Sequence, residues 1–136
     1  MKKNELTVIL DKAIDYFKNL DNKPTLIFLF GSYAKNKQHK GSDIDIAVLY
    51  KNKPTIVDNY NISNELSQIS KYDVDYTSLN GISDILQYQV IRYGKEIYSD
   101  HSFEAKIYKT TVISKYIDLK ENRKIIEKKL LERIDG

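Results

Sequence analysis

Two acidic residues at the beginning of an apolar segment constrain this chain more than any other feature. Asp43 and Asp45 stand at the start of Ile44–Tyr50, which alternates around Asp45 and is rich in residues that favour β-strands. Side chains two residues apart on a strand point to the same face, so the two carboxylates face the same way. Carboxylates placed so close together repel and raise each other's pKa unless a cation lies between them. The pattern therefore predicts a strand that begins at a site for a hard divalent ion such as Mg²⁺.

A short apolar run before this segment predicts a second strand with a turn at its end. Thr25–Phe30 is apolar enough to be a buried strand, and Gly31 and Ser32 follow it directly. Glycine lets the backbone approach a phosphate closely, and the following amides and the serine hydroxyl can donate hydrogen bonds to it. The spacing matches neither a Walker A loop nor a dinucleotide-binding glycine fingerprint.

A third carboxylate is available on a later segment. Residues 72–79 alternate between polar and apolar side chains and predict a third strand, on which Asp73 and Asp75 share a face. If this strand lies beside Ile44–Tyr50, one of these two residues completes a cluster of three carboxylates. Such a cluster suits a two-metal site for phosphoryl or nucleotidyl transfer.

The remaining segments predict an α/β (α+β) fold, with a small mixed β-sheet flanked by helices, in a single domain over residues 1–136. Apolar residues at helical spacing predict a helix over residues 4–19 and a long C-terminal helix over about 102–134. Three further elements are expected between them. They are a helix from Pro54 to about Ser70, a helix from Ser83 or Asp84 to Tyr93 that stops at Gly94, and a short extended piece over Lys95–Ser99.

Composition excludes several classes of function. The chain has no cysteine, which excludes a disulfide scaffold, an iron–sulfur cluster, a Cys-ligated zinc and a thiol nucleophile. Its 22 basic and 19 acidic residues give a net charge of only +3, so we expect no nucleic acid as a stable partner. The longest strongly apolar run, Leu26–Phe30, is far too short to span a membrane. We therefore expect a cytoplasmic protein without a membrane partner.

The order of these motifs resembles that of a known superfamily. A Gly–Ser pair, ten residues, and then Asp43 and Asp45 before an apolar strand resemble the nucleotidyltransferases of DNA polymerase β type. The pattern is most similar to the minimal nucleotidyltransferases (MNT), which include antitoxins that are paired with HEPN toxins. The resemblance covers about residues 25–98 and implies the polymerase β-like nucleotidyltransferase fold.

On the nucleotide side, the resemblance implies that Gly31 and Ser32 grip the triphosphate of ATP. Ser42 matches the serine that usually stands just before the aspartate pair. Asn36 departs from the pattern, because the family usually has glycine at this place in the loop. Asparagine tolerates left-handed backbone geometry better than most residues, so the loop can survive the change while its grip on the nucleotide weakens.

On the metal side, the resemblance implies that Asp43 and Asp45 bind two Mg²⁺ ions. Asp75 matches the third carboxylate, which assists one metal and activates the attacking hydroxyl, and Asp73 is the competing assignment. The implied reaction is transfer of AMP from ATP to a tyrosine of a HEPN ribonuclease toxin, which silences the toxin. Two alternatives are an antitoxin that acts by binding alone and a nucleotidyltransferase for a small molecule such as an antibiotic. The C-terminal helix could join this chain to its partner or to a second copy.

Overall fold

The structure is a computed structural model that describes residues 3–31, 33 and 43–135. These residues form four helices and four strands. In chain order they are α1 (Lys3–Lys18), β1 (Pro24–Phe30), β2 (Ile44–Tyr50), α2 (Ile56–Ser70), β3 (Val74–Ser78), α3 (Asp84–Tyr93), β4 (Lys95–Ser99) and α4 (Phe103–Asp135). The predicted mixed α/β fold with a long C-terminal helix is confirmed.

The start of α2 differs from the prediction. Pro54 was expected to be the first helical residue, but the helix begins at Ile56, after Thr55. The Thr55 side chain accepts a hydrogen bond from the Asp58 N–H, while the Asp58 carboxylate accepts one from the Thr55 N–H. This reciprocal capping box satisfies two backbone donors at the helix start, which places the helix boundary after the threonine.

The four strands form one mixed sheet in the order β3-β2-β1-β4. Strand β1 runs antiparallel to β2 and to β4, whereas β2 and β3 are parallel. The two central strands, β1 and β2, are covered on both faces, which is why Thr25–Phe30 is a continuous apolar run.

Each face of the sheet carries its own apolar core. Helices α1 and α2 cover one face, where Phe17, Ile46 and Leu66 are almost fully buried. Helices α3 and α4 cover the other face, where Phe28, Ala47 and Val90 are buried. Since Asp45 precedes Ala47 by two residues, its side chain lies on the α3–α4 face.

Helix α4 packs against the body of the protein only in its first part. Ala105 and Val112 are buried against β1 and α3, and the ring of Tyr116 stacks on that of Tyr88 with 3.7 Å between their centroids. Every residue from 117 to 133 is exposed. None of the helices in the described part of the chain combines the length and the apolar character needed to cross a membrane.

Candidate active site

The candidate site is built around Asp45, at the beginning of a central strand. Asp45 lies level with Phe30 on antiparallel β1 and with Asp75 on parallel β3. Neighbouring residues at the same level of a sheet present their side chains on the same face. The register therefore brings the carboxylates of Asp45 and Asp75 together on the α3–α4 face. Asp43, immediately before β2, is exposed beside them.

Hydrogen bonds at both ends hold β2 and β3 in this register. At the site end, the Ile44 N–H donates to the Asp73 carbonyl at 3.0 Å. At the far end, Asn80 accepts from the Tyr50 N–H at 2.8 Å and donates to the Tyr50 carbonyl at 2.9 Å. The amide side chain of Asn80 thus continues the ladder after β3 has ended. A slip of the register would break these bonds and separate Asp45 from Asp75.

The electrostatics of the site centre on Asp45. Burial, followed by the negative charges of Asp75 and Asp43, raises the pKa of the Asp45 carboxyl to about 6. A hydrogen bond with Asp75 favours the protonated form further. In the folded protein, the ionised form of Asp45 is therefore unfavourable unless a positive charge lies nearby.

This arrangement fits the chemistry of a divalent cation. The donors are hard carboxylate oxygens, and the unfavourable charge at Asp45 is the kind that a bound cation relieves. Among residues 3–31, 33 and 43–135, no three His, Cys, Asp or Glu side chains are arranged to hold one ion. Asp75 and Asp43 instead act on Asp45 through their negative charges.

Gly31 lies directly against Asp45. Its φ of +73° is in the left-handed region, which glycine adopts without strain. A Cβ built on Gly31 would collide with a carboxylate oxygen of Asp45. Glycine is therefore required for two reasons, since any side chain would be strained and would displace the acid. The other two residues expected to contact the nucleotide, Ser32 and Ser42, lie outside the described residues, and so does Asn36.

An apolar pocket beside the carboxylates escaped the sequence analysis. It has a volume of about 280 Å³ and is lined by Phe30, Gly31, Thr77, Ile82, Leu86, Gln89, Val90 and Tyr93. Thr77 follows Asp75 by two residues on the same strand, so both lie on the same face. The residues from α3 are spaced three or four apart, which places them on one side of the helix. This spacing is the feature of the sequence from which one wall of the pocket could have been predicted.

Comparison with known proteins agrees with this geometry. The family model described as "Polymerase beta, Nucleotidyltransferase" matches residues 11–103. The protein adenylyltransferase MntA of Shewanella oneidensis is 32% identical over 116 residues, which cover 85% of this chain and 83% of the relative.

Solved structures give the same result. A chain in the crystal structure of a toxin–antitoxin with AMP-PNP superposes with a TM-score of 0.72 and 28% identity, covering 96% of this chain and 99% of that chain. A chain in the complex of the tri-AMPylated Shewanella oneidensis HEPN toxin with MNT antitoxin gives a TM-score of 0.67 and 28% identity, covering 94% and 96%. Fold, site geometry and sequence together show that this chain belongs to the polymerase beta nucleotidyltransferase family.

Proposed function

We propose that this protein is a Mg²⁺-dependent protein adenylyltransferase, which moves AMP from ATP to a tyrosine hydroxyl of a HEPN-type toxin and so acts as its antitoxin. The observation that carries the proposal is the level placement of Asp45 and Asp75, beside Asp43, at one end of the sheet. The relative named MntA is a protein adenylyltransferase, and the similar solved structures include one with AMP-PNP and one with an AMPylated HEPN toxin.

The proposed reaction is a single displacement at the α-phosphorus of ATP. The tyrosine oxygen forms a bond to this phosphorus, the bond from the α-phosphorus to the oxygen that bridges to the β-phosphorus breaks, and pyrophosphate leaves. Asp75 receives the tyrosine proton, directly or through a water molecule. Bound Mg²⁺ would neutralise the charge that develops on the phosphates. Asp43 and Asp45 would hold the two ions, with Asp75 as an additional ligand of one.

The nucleotide would enter from the side of Gly31. Gly31 has no side chain, so a phosphate can come close to the backbone next to Asp45. Ser32 and Ser42 would donate their hydroxyl groups to the triphosphate. We further propose that residues 1–136 work as one nucleotidyltransferase domain, with a core over about 25–98, and that the protein acts in the cytoplasm, where ATP is available.

Transfer of label tests this proposal. The protein is incubated with α-labelled ATP, Mg²⁺ and its HEPN-type partner, beside the double variant Asp43→Ala/Asp45→Ala. We expect label on the partner with the wild type and none with the double variant. Asp73→Asn is the matched control, because it removes a neighbouring exposed carboxylate that does not lie level with Asp45. Absence of label from the wild-type reaction would overturn the proposal.

A second candidate function, inhibition of the toxin by docking alone, is favoured by the exposed end of α4. The positions buried in the body, Ala105 and Val112, recur every seven residues as Leu119 and Ile126, which are 45% and 51% exposed. The face that packs on α3 thus continues as an apolar stripe after the body ends. If the double aspartate variant silences the partner as fully as the wild type does, docking is the function and catalysis is secondary.

A further inference from the structure

We propose that the apolar pocket between β1, β3 and α3 receives the aromatic ring of the acceptor tyrosine. This inference rests on the proposed function, since it names the place in that same site where the partner's side chain is held. The residues that we assign to the ring are Phe30, Leu86, Gln89, Val90 and Tyr93.

The position of the pocket places a bound ring beside the carboxylates. The pocket is lined by Gly31 at the end of β1 and by Thr77 on β3. These residues lie on either side of β2, and Asp45 lies level with the residue before Gly31. Thr77 follows Asp75 on the same face of β3. The Thr77 end of the pocket therefore lies towards Asp75, the proposed proton acceptor, and we assign the hydroxyl of the bound ring to that end.

The chemistry of the walls suits a phenol better than a purine. Five of the eight lining residues have aromatic or aliphatic side chains, and the polar groups are the hydroxyls of Thr77 and Tyr93 and the amide of Gln89. A purine carries several ring nitrogens that need hydrogen-bond partners when buried, whereas a tyrosine ring needs a partner only for its hydroxyl. The volume of about 280 Å³ is also just below the range, about 300–1,000 Å³, of pockets that hold whole small molecules.

The surroundings of the pocket suit an acceptor that is part of a protein. Leu86 and Tyr93 line the pocket and are still 52% and 58% exposed, and Ile85 beside them is 50% exposed. Ile85 in turn borders the groove that α3 forms with Leu119 and Ile126 of α4. Exposed apolar side chains thus lie both at the pocket and in the groove beside it, where Lys120, Arg123 and Glu127 also line the surface. A free nucleotide makes no use of such a surface, but a protein that docks there could insert a tyrosine.

Steady-state kinetics with two substrates test the inference. Leu86→Ala and Tyr93→Ala remove exposed side chains, so both variants should fold. The matched controls are Ile56→Ala and Tyr60→Ala, which remove similar exposed side chains from α2 on the other face of the sheet. We expect each pocket variant to lower kcat/KM for the HEPN-type partner by about tenfold, as for the loss of one buried apolar side chain. The KM for ATP should stay within about twofold, and both controls should behave as the wild type.

The outcomes separate this inference from the proposed function. If the pocket variants raise the KM for ATP and leave the partner's kinetics unchanged, the pocket holds the purine and the inference is wrong. If they change neither, the pocket is not part of the reaction, although the proposed function stands. If the wild type labels no protein at all, the proposed function fails and the inference fails with it.

A binding experiment checks the same point without catalysis. The methyl and amide signals of Leu86, Gln89 and Val90 are followed by NMR while p-cresol, a phenol that mimics the tyrosine side chain, is added to the protein saturated with AMP-PNP. We expect saturable shifts at these residues, and weaker shifts in Leu86→Ala than in Ile56→Ala. Shifts at these residues caused by AMP-PNP and not by p-cresol would overturn the inference.

Discussion

Asp45 and Asp75 lie at the same level of two parallel neighbouring strands, where the negative charge of Asp75 helps to raise the pKa of the Asp45 carboxyl. No other pair in the described part of the chain is as informative about function. A folded protein gains nothing from two adjacent acids unless something positive joins them, because burial and the neighbouring negative charge disfavour the ionised form of Asp45. We interpret the pair as a feature that lowers the stability of the fold and serves the reaction.

The raised pKa of Asp45 predicts that removing its charge stabilises the metal-free protein. The pKa is about 6 in the folded state and 3.8 in the reference state, so the ionised acid destabilises the fold above pH 6. As the pH falls from 6 towards 4, the folded state takes up the proton and the penalty disappears. We expect Asp45→Asn to raise the free energy of unfolding by about 1 kcal/mol at pH 7.5, after allowing for solvent screening, and by almost nothing at pH 4.

Urea denaturation with a chelator present, at both pH values, measures this effect. Asp73→Asn is the control, and we expect it to change the free energy of unfolding by less than about 0.5 kcal/mol at either pH, as for most exposed substitutions. An Asp45→Asn variant that is less stable than the wild type at pH 7.5 would contradict the interpretation of the pair.

Added divalent cations should make the wild type more stable than Asp45→Asn, which reverses the order expected without metal. Added Mg²⁺ binds the folded wild type and stabilises it by about 1.4 kcal/mol at a concentration ten times its Kd. Asp45→Asn loses a ligand and a charge, so its melting temperature should hardly respond. Thermal melts over a Mg²⁺ titration give the comparison, and removal of the metal with a chelator should return the wild type to its starting melting temperature. An equal response of both proteins would mean that the ion binds elsewhere.

Gly31→Ala should lower the free energy of unfolding, in particular because the new side chain meets Asp45. Left-handed geometry alone costs a non-glycine residue about 1–2 kcal/mol, and the new Cβ must also displace the carboxylate. In an Asp45→Ala background only the backbone cost remains. We therefore expect a double-mutant cycle, measured by chemical denaturation, to show a coupling of at least about 0.5 kcal/mol between the two positions. Additive effects would show that the two residues are not in contact.

The two candidates for the third carboxylate should differ sharply in the rate of AMP transfer. Asp75→Asn removes the group that lies level with Asp45, and we expect kcat to fall by at least about 100-fold, the usual loss when a general base is removed. Asp73→Asn leaves that pair intact and should change kcat by less than about fivefold. Single-turnover transfer of AMP to the HEPN-type partner measures both. Equal losses would mean that the register does not determine which acid takes the proton.

Asn80 should matter to stability although it is remote from the chemistry. Asn80→Ala leaves the N–H and the carbonyl of Tyr50 without their partners, at a cost of about 1–3 kcal/mol. Asn52→Ala, which removes a side chain from the exposed turn after β2, is a suitable control. Denaturation curves measure the free energy of unfolding of both variants. An effect of Asn80→Ala no larger than that of the control would show that other contacts hold the register.

Local sequence patterns predict much of this fold for identifiable reasons. The β-forming residues of Ile44–Tyr50 and the continuous apolar run before Gly31 identify the two central strands, because strands that are covered on both faces are rich in apolar residues. The capping serine and the glycine around Asp84–Tyr93 give that helix its ends. Pro54 misled the prediction because the capping box of Thr55 and Asp58 determines the boundary more strongly than a preceding proline does.

The pocket and the level placement of Asp75 beside Asp45 needed the structure. Both depend on which residues of distant strands lie level, and a shift of one residue would move every side chain to the other face. The hydrogen bonds of Asn80 help to set that register, and the local sequence around Asn80 does not predict them. The division of α4 into a packed part and an exposed part likewise depends on where the sheet ends, since the seven-residue spacing continues unchanged through both parts.

The most direct test of the central claim follows the partner's ribonuclease activity while AMP is being transferred to it. The HEPN-type partner is sampled during incubation with this protein, ATP and Mg²⁺, and each sample is divided between a measurement of bound AMP and a measurement of RNA cleavage after the two proteins are separated. The account predicts that cleavage falls in proportion to the AMP bound, and that Asp43→Ala/Asp45→Ala produces neither change. Loss of cleavage without bound AMP, or with the double aspartate variant, would contradict it.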